Sequence, residues 1–365
     1  MDRSVIFSIP ADHKFLISKD FLADYKDQEP NWVALSKVAF TRTYARKLEG
    51  EELVEHLMRD KGMSAAEAAA CQEPVMEAFW MTARRCVEFA MSVLKHSVVA
   101  GHRGWNEQKG QKQAKDMFKR LWVGKWLPPG RGLQFAGTPV VEKKGAAVLN
   151  NCGFSSTQGI GKDFPGPFAT IMDFLMLGVG MGSDVRGADK FTVQAPADIE
   201  VAHCVEDTRE GWVDAFRMKL KSYTGGPKVT YDYSLIRAYG TPLKTFGGTS
   251  SGHKPLETLL NAVDSILAPR IGQKIGVTAI ADSVNHIGVC VVAGNIRRSA
   301  EILLGDEGDA EFTKLKDPSE LRTWQTELAA LKLDRNPGNE SERLDLVEKI
   351  ATHPLYTHRW ASNNS

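Results

Sequence analysis

The sequence has few cysteines, almost no net charge and no long apolar run, and each shortage excludes a class of protein. Its five cysteines are widely spaced and include no Cys-x-x-Cys pair, which argues against a disulfide framework or a zinc ribbon and fits a cytoplasmic protein. The nine histidines are scattered, so no metal site is expected. A formal net charge of +1 gives no broad electrostatic surface for nucleic acid or membrane. No stretch resembles a signal peptide or reaches the roughly 18 apolar residues of a membrane span.

The residues that are present indicate a globular α/β protein. With 365 residues, 42% hydrophobic and 25% charged, the chain can form one large domain or two ordinary ones. Residues 51–95 and 105–122 show helical periodicity, with Ser64 as a candidate N-cap, and Pro128 and Pro129 end the pattern. Residues 1–125 are therefore expected to form a helical N-terminal region. From residue 126 onward, short apolar runs alternate with glycine-rich loops and helical segments, which is typical of α/β folds. This pattern predicts a strand at 146–156 and helices at 168–177, 256–267 and 278–292.

A Gly-x-Gly-x-Gly run at residues 178–182 superficially suggests a dinucleotide site. In such a site the order is strand, glycine loop, then helix. Here the predicted helix precedes the glycines, so a glycine-capped helix with close packing is the better interpretation.

The segment VAGNIRRSAEILLG, at residues 292–305, is the most informative stretch. Its apolar–loop–apolar pattern predicts two buried strands joined by a tight cationic loop. Arg297 and Arg298 offer planar charged groups for a phosphate or a base edge, and Gly294 lets a ligand approach the backbone. On composition alone, a surface turn with two solvated arginines is an equally good interpretation.

Several segments together resemble the large subunit of ribonucleotide reductases, and more narrowly the adenosylcobalamin-dependent (class II) ribonucleoside-triphosphate reductases. AGNIRRSAEI is similar to the substrate-specificity loop of that family. Other matching segments follow the family's order and span almost the whole chain: FTRTYAR (40–46), PPGRGLQFAGT (128–138), LNNCGF (149–154), PFATIMDFLMLGVGMGSDV (167–185), DTREGWVDAF (207–216), IRAYGTPLKTFGGTSSG (236–252) and HRWASNNS (358–365).

The resemblance implies a fold, a cofactor and partners. The expected fold is a helical N-terminal region, residues 1–125, followed by the first part of a ten-stranded α/β barrel, residues 126–365. The polar stretch 306–356 is expected to be a surface insertion. The expected cofactor is adenosylcobalamin. The implied partners are a ribonucleoside triphosphate substrate, a deoxynucleotide effector and a thioredoxin-like reductant.

The resemblance also assigns roles to particular residues. Cys152 matches the redox-active cysteine on the first barrel strand, although a buried, inert cysteine is the usual alternative. Residues that could contact substrate are Asn150, Asn151, Asn295, Arg297, Arg298, Gly248, Thr249 and Ser250. Residues that could contact the effector are Asp173, Arg237 and Lys244. The Gly248–Ser250 segment precedes a predicted helix, so it is either an anion site or a simple N-cap, and substrate or effector could use it.

One family segment does not occur in this sequence. Members carry a later Asn-Pro-Cys-Gly-Glu motif with the radical cysteine, the partner of Cys152 and a proton-handling glutamate. The chain is therefore expected to need a missing C-terminal half, through an intein, a split gene or truncation, and to be inactive alone. The alternatives are a non-catalytic nucleotide-binding module and another thiyl- or glycyl-radical enzyme on the same barrel. The short stretch between Val185 and Asp207 leaves the choice between monomer and dimer open.

Overall fold

A computed structural model describes residues 8–26, 28–33, 35–242, 249–293, 300–333 and 339–364. The chain divides into two compact units, Met1–Asn150 and Asn151–Ser365. The predicted change of texture at residue 125 falls inside the first unit, which remains helical beyond that point.

The first unit is a helical assembly with one short two-stranded antiparallel sheet, β1–β2. Its core is formed by α5 and α6 together with residues of the N-terminal segment, and Phe15, Phe118 and Leu121 are among the fully buried side chains. Its elements are α1 (Lys19–Ala23), α2 (Ser36–Thr43), β1 (Lys47–Leu48), α3 (Gly50–Lys61), α4 (Ala65–Ala70), β2 (Val75–Met76), α5 (Phe79–Ala100), α6 (Glu107–Trp122), α7 (Gly130–Phe135) and α8 (Pro139–Lys144), with 3-10 turns at Ala11–His13 and Ala146–Leu149.

The second unit contains a four-stranded parallel sheet in the order β3-β4-β7-β8 and a two-stranded parallel sheet, β5-β6. Its elements are β3 (Cys152–Ser155), α9 (Pro165–Met176), β4 (Gly180–Asp184), β5 (Ala197–Cys204), α10 (Arg209–Ser222), β6 (Pro227–Asp232), α11 (Lys254–Leu267), α12 (Gly276–Ala293), β7 (Glu301–Leu304), α13 (Ala310–Lys314), α14 (Ser319–Leu333), α15 (Glu340–Thr352), α16 (Pro354–Thr357) and β8 (Ser362–Asn364), with 3-10 turns at Thr157–Gly159 and Ala268–Arg270.

Helices α9 and α12 lie against one face of the four-stranded sheet. Both helices are strongly apolar, and α12 alone, among the described residues, is long and apolar enough to cross a membrane by length and composition. More than half of α12 is buried within the protein, as expected for a helix that covers a sheet.

The structure corrects two predicted elements. The strand predicted at 146–156 is shorter, because Ala146–Leu149 forms a 3-10 turn and only Cys152–Ser155 pairs with a neighbouring strand. The apolar run before the cationic loop is the last turn of α12 and not a strand, whereas the run after it is the strand β7. A buried helix and a buried strand are both apolar on every side, so a short run could not distinguish them.

Candidate functional site

Cys152 lies at the start of β3, on the sheet face that points away from α9 and α12. Parallel register pairs Cys152 with Gly180 and Phe154 with Gly182, and Gly182 in turn with Ile302. Because side chains alternate across a strand, all of these positions share one face. Cys152 is exposed, and Phe154 and Ile302 keep 54% and 40% of their surface accessible. The structure thus shows the Cys152 side chain exposed on this face, and its redox role stays a prediction.

The two glycines opposite these side chains leave space for different reasons. A Cβ on Gly182 would lie 2.6 Å from the ring of Phe154, so that glycine makes room for a protein side chain. A Cβ on Gly180 would meet nothing nearer than 3.5 Å, the carbonyl oxygen of Ala300. The surface beside the Cys152 thiol is therefore open backbone, which a ligand can approach closely.

Asn150 and Asn151 are both exposed in the segment before β3. The Asn150 backbone is extended and follows the 3-10 turn. The Asn151 carbonyl accepts a hydrogen bond of 2.8 Å from the Gly180 amide, which joins the start of β3 to β4. Their role as substrate ligands stays a prediction.

Two of the predicted effector residues meet the DTREG segment through ion pairs. Asp173, on α9, lies 2.7 Å from the guanidinium of Arg209, which also pairs with its neighbour Glu210 at 2.6 Å. Arg237 donates to the carboxylate of Asp207 at 2.5 Å. The structure thus gathers Asp173 and Arg237 around residues 207–210, whose charged side chains were not predicted to belong to the site. Sequence showed this segment only as a family match, because choosing between possible ion-pair partners requires the tertiary fold.

Of the predicted anion segment the structure describes Thr249 and Ser250, and neither caps the helix that follows, while the alternative of an anion site stays a prediction. Thr249 forms an isolated bridge with Pro242, and Ser250 is buried, where its hydroxyl accepts from the Gly252 amide at 3.0 Å. Helix α11 begins only at Lys254, and its N-cap residue is His253, which makes no side-chain capping bond. Ser250 therefore organises the loop, and it does not cap the helix.

Several predicted ligands lie outside the described residues. Gly248 and Lys244 fall within residues 243–248, and Asn295, Arg297 and Arg298 within residues 294–299. Their predicted contacts stay predictions.

Two other cysteines, Cys86 and Cys290, are buried. Burial raises the pKa of Cys86 to about 11 and that of Cys290 to about 12, so both remain thiols near neutral pH. Cys71 is exposed and follows the last residue of α4, Ala70. No cluster of three or more His, Cys, Asp or Glu side chains suited to a metal ion occurs among the described residues.

Comparison with protein families gives two separate matches. Residues 68–138 match the model of the "Ribonucleotide reductase alpha domain". Residues 181–267 match that of the "B12-dependent ribonucleotide reductase, insertion domain". The second match begins in β4 and ends with α11, so it includes β5, α10 and β6 and the stretch between Val185 and Asp207.

Relatives and a solved structure agree with these matches. The chain is 42% identical over 84% of its length to the adenosylcobalamin-dependent ribonucleoside-triphosphate reductase of Euglena gracilis, and 34% identical over 83% to a probable enzyme of the same name from Dictyostelium discoideum. It covers 40% of each of these proteins, so the chain spans less than half the length of these curated relatives. A crystal structure of a B12-dependent (class II) ribonucleotide reductase shares the fold, with a TM-score of 0.69 at 24% identity over 96% of this chain and 48% of that one.

Proposed function

Because this chain belongs to the adenosylcobalamin-dependent, class II branch of the ribonucleotide reductase family, we propose that it takes part in reducing ribonucleoside triphosphates to 2′-deoxyribonucleotides by a radical mechanism. The observation that carries the proposal is the place of Cys152. Its exposed thiol stands on the open face of the parallel sheet, beside the bare backbone of Gly180. A ribose could therefore lie directly against the sheet within reach of the sulfur.

In this proposal Cys152 supplies one of the two thiols that reduce the sugar. The bond between C2′ and its hydroxyl oxygen breaks, the hydroxyl leaves as water, and C2′ gains a hydrogen. Two thiols together provide the two electrons and two protons and become a disulfide. A thioredoxin-like dithiol then reduces that disulfide by thiol–disulfide exchange. The second thiol is assigned to the C-terminal portion of the enzyme, with which this chain would act.

Adenosylcobalamin is the cofactor that the family uses, and when bound it would supply the radical. The first unit contains a cavity of about 340 Å³ lined by arginines and glutamates. Such a cavity is far smaller than a corrin ring with its adenosyl and nucleotide arms, and its arginines are already paired with carboxylates, as in Arg85 with Glu77. We therefore assign none of these residues to the cofactor.

Effector binding is proposed around residues 207–210. There the phosphates of a deoxynucleotide would replace Asp207 as the partner of Arg237 and Asp173 as the partner of Arg209. Lys244, Gly248, Thr249 and Ser250 would add contacts from the loop that precedes α11. Asn295, Arg297 and Arg298 would pass the identity of the effector to the substrate site.

The cytoplasm is the proposed location of the protein, because free thiols such as that of Cys152 stay reduced there.

A cysteine substitution tests the catalytic assignment. The assay combines this chain with the C-terminal portion of the relatives, adenosylcobalamin, a ribonucleoside triphosphate and a dithiol. Cys152→Ser should abolish multiple turnover, since a hydroxyl cannot form the disulfide, while nucleotide affinity stays nearly unchanged because one oxygen replaces one sulfur. The matched control is Cys204→Ser, which changes another exposed cysteine in the same unit.

The outcomes separate the candidate functions. Normal turnover by the Cys152→Ser variant would remove the redox role from this residue. Nucleotide binding without any reduction by the wild-type assembly would favour the non-catalytic binding module.

A further inference from the structure

Glu301 is the most anomalous side chain of the second unit. It opens β7, is only 5% exposed, and neither carboxylate oxygen has a hydrogen-bond partner among the described residues. The carboxyl lies against α12 at Gly288, where a Cβ would come within 2.5 Å of its Oε2. A buried polar group without a partner is costly and calls for an explanation. The missing side chain at Gly288 thus gives the Glu301 carboxyl its room against the helix.

The register partner of Glu301 is Ser362, the first residue of strand β8. Ser362 is held by side chains from outside the sheet. Asn285 of α12 accepts hydrogen bonds from the Ser362 amide at 3.1 Å and from its hydroxyl at 2.9 Å. The Lys316 ammonium donates to the Ser362 carbonyl oxygen. These contacts fasten β8, which lies at one side of the described sheet and pairs there with β7.

Lys316 therefore has two possible acceptors. One is the Ser362 carbonyl, which it contacts. The other is the carboxyl of Glu301, since Glu301 is the register partner of the same Ser362 that Lys316 contacts and the positive charge of Lys316 acts on its carboxyl. Burial raises the pKa of Glu301 well above its usual range, and Lys316 only partly opposes this. A neutral carboxyl competes weakly for the ammonium, whereas a carboxylate would compete strongly, because two opposite full charges attract each other more strongly in a buried place than a charge attracts a neutral carbonyl.

The other charged groups that the structure describes near Glu301 and Lys316 already pair with one another. Burial lowers the pKa of Lys316, and the positive charge of Arg359 lowers it further. The Arg359 guanidinium itself donates two hydrogen bonds to the carboxylate of Asp282 on α12, at 2.7 and 3.0 Å. His358 reaches the same carboxylate at 3.0 Å, out of line for a good hydrogen bond, and stacks on His286. Strand β4 faces Glu301 with Met181, which carries no charge. Among the charged groups that the structure describes here, Lys316 is thus the one that can respond to ionisation of Glu301.

We propose that Glu301 and Lys316 form a proton-dependent clamp on strand β8. With Glu301 protonated, Lys316 stays on the Ser362 carbonyl and β8 is held firmly. When Glu301 loses its proton, its carboxylate draws Lys316 away from Ser362 and the strand loosens. The clamp uses no residue of the Cys152 site and stands independently of the proposed reaction.

Hydrogen exchange tests the clamp on the 365-residue chain. Exchange rates of the amides of residues 362–364 are measured from about pH 6 to about pH 9, each divided by the rate of an unstructured peptide at that pH. In the wild type, protection of these amides should fall with rising pH by about ten- to a hundredfold, the equivalent of one charge-assisted hydrogen bond. Glu301→Gln keeps the shape but cannot ionise, so its protection should stay high and flat.

Two further variants keep the test decisive. Lys316→Met removes the ammonium, so protection should be low and independent of pH. Glu307→Gln, at an exposed position just after β7, should behave as the wild type. In infrared spectra at neutral pH, the carbonyl band of a protonated carboxyl should be present in the wild type and absent in Glu301→Gln. Flat wild-type protection, protection that rises with pH, or a missing band would overturn the proposal.

Discussion

At the scale of single residues, Asp184 shows how one buried carboxylate can fix a loop. It ends β4 and accepts hydrogen bonds from the Ser156 hydroxyl at 2.6 Å and from the Thr157 amide and hydroxyl, each at 2.9 Å. Burial alone would raise the pKa of Asp184, but these donors outweigh it, and the pKa lies below its usual value. The turn that follows the Cys152 strand is thus tied to the neighbouring strand.

Asp184→Asn should lower the free energy of unfolding by about 1–3 kcal/mol, because the amide cannot accept all of these bonds. A carboxylate with a depressed pKa contributes its full stability above the ordinary carboxyl range and loses it as the pH falls through the folded-state value. Urea unfolding at several pH values should therefore show the two proteins converging in acid. Asp189→Asn, at an exposed position, serves as the control. A constant difference at all pH values would contradict the assignment.

At the scale of elements, the way α9 ends explains the first glycine of the run at residues 178–182. Gly178 has a φ of 74°. Its amide bonds to the Leu175 carbonyl at 2.7 Å, and the Val179 amide bonds to the Phe174 carbonyl at 3.0 Å. This pair of bonds is the Schellman motif, in which a left-handed residue ends a helix. The glycine stop predicted from the sequence is what the structure shows.

Gly178→Ala should destabilise the second unit by about 1–2 kcal/mol, the cost of placing a Cβ in the left-handed region. Thermal unfolding of the purified chain measures the effect. Gly180→Ala is a close control, since that residue lies in a strand, has no positive φ, and a Cβ there would meet its neighbours at ordinary contact distances of 3.5 Å or more. Equal effects of the two substitutions would mean that the left-handed cap is not the cause.

The same elements show what sequence could predict and what it could not. Periodicity and capping residues identified α9, α11 and α12 to within a few residues, and Ser64 does cap α4 through a reciprocal pair with Glu67. These signals are local. The pairing of Arg209 with Asp173 and the isolation of Glu301 depend on elements distant in the chain. An acidic residue at the head of an apolar run was visible, but its lack of a partner was not.

At the scale of the whole molecule, the open face of the sheet governs what this chain can do. Phe154, Ile302 and Leu304 are apolar and remain 37–54% exposed on the face that carries Cys152. No Asn-Pro-Cys-Gly-Glu segment occurs in the 365 residues, and it is to this segment that the resemblance assigns the radical cysteine, the second reducing thiol and the proton-handling glutamate. The face that carries Cys152 thus offers one described thiol, whereas the proposed reaction needs three more groups.

The chain by itself should therefore form no deoxynucleotide, even with adenosylcobalamin and excess dithiol. A single thiol can give only one of the two electrons that the sugar requires, and without a radical cysteine the reaction cannot begin. Chromatography of the nucleotides after long incubation measures the product, and the same chain mixed with the C-terminal portion of the relatives is the positive control. Deoxynucleotide above background from the chain alone would place the complete reducing chemistry within these 365 residues. The second thiol would then need a different assignment, and the exposed cysteines Cys204 and Cys71 would be the first candidates.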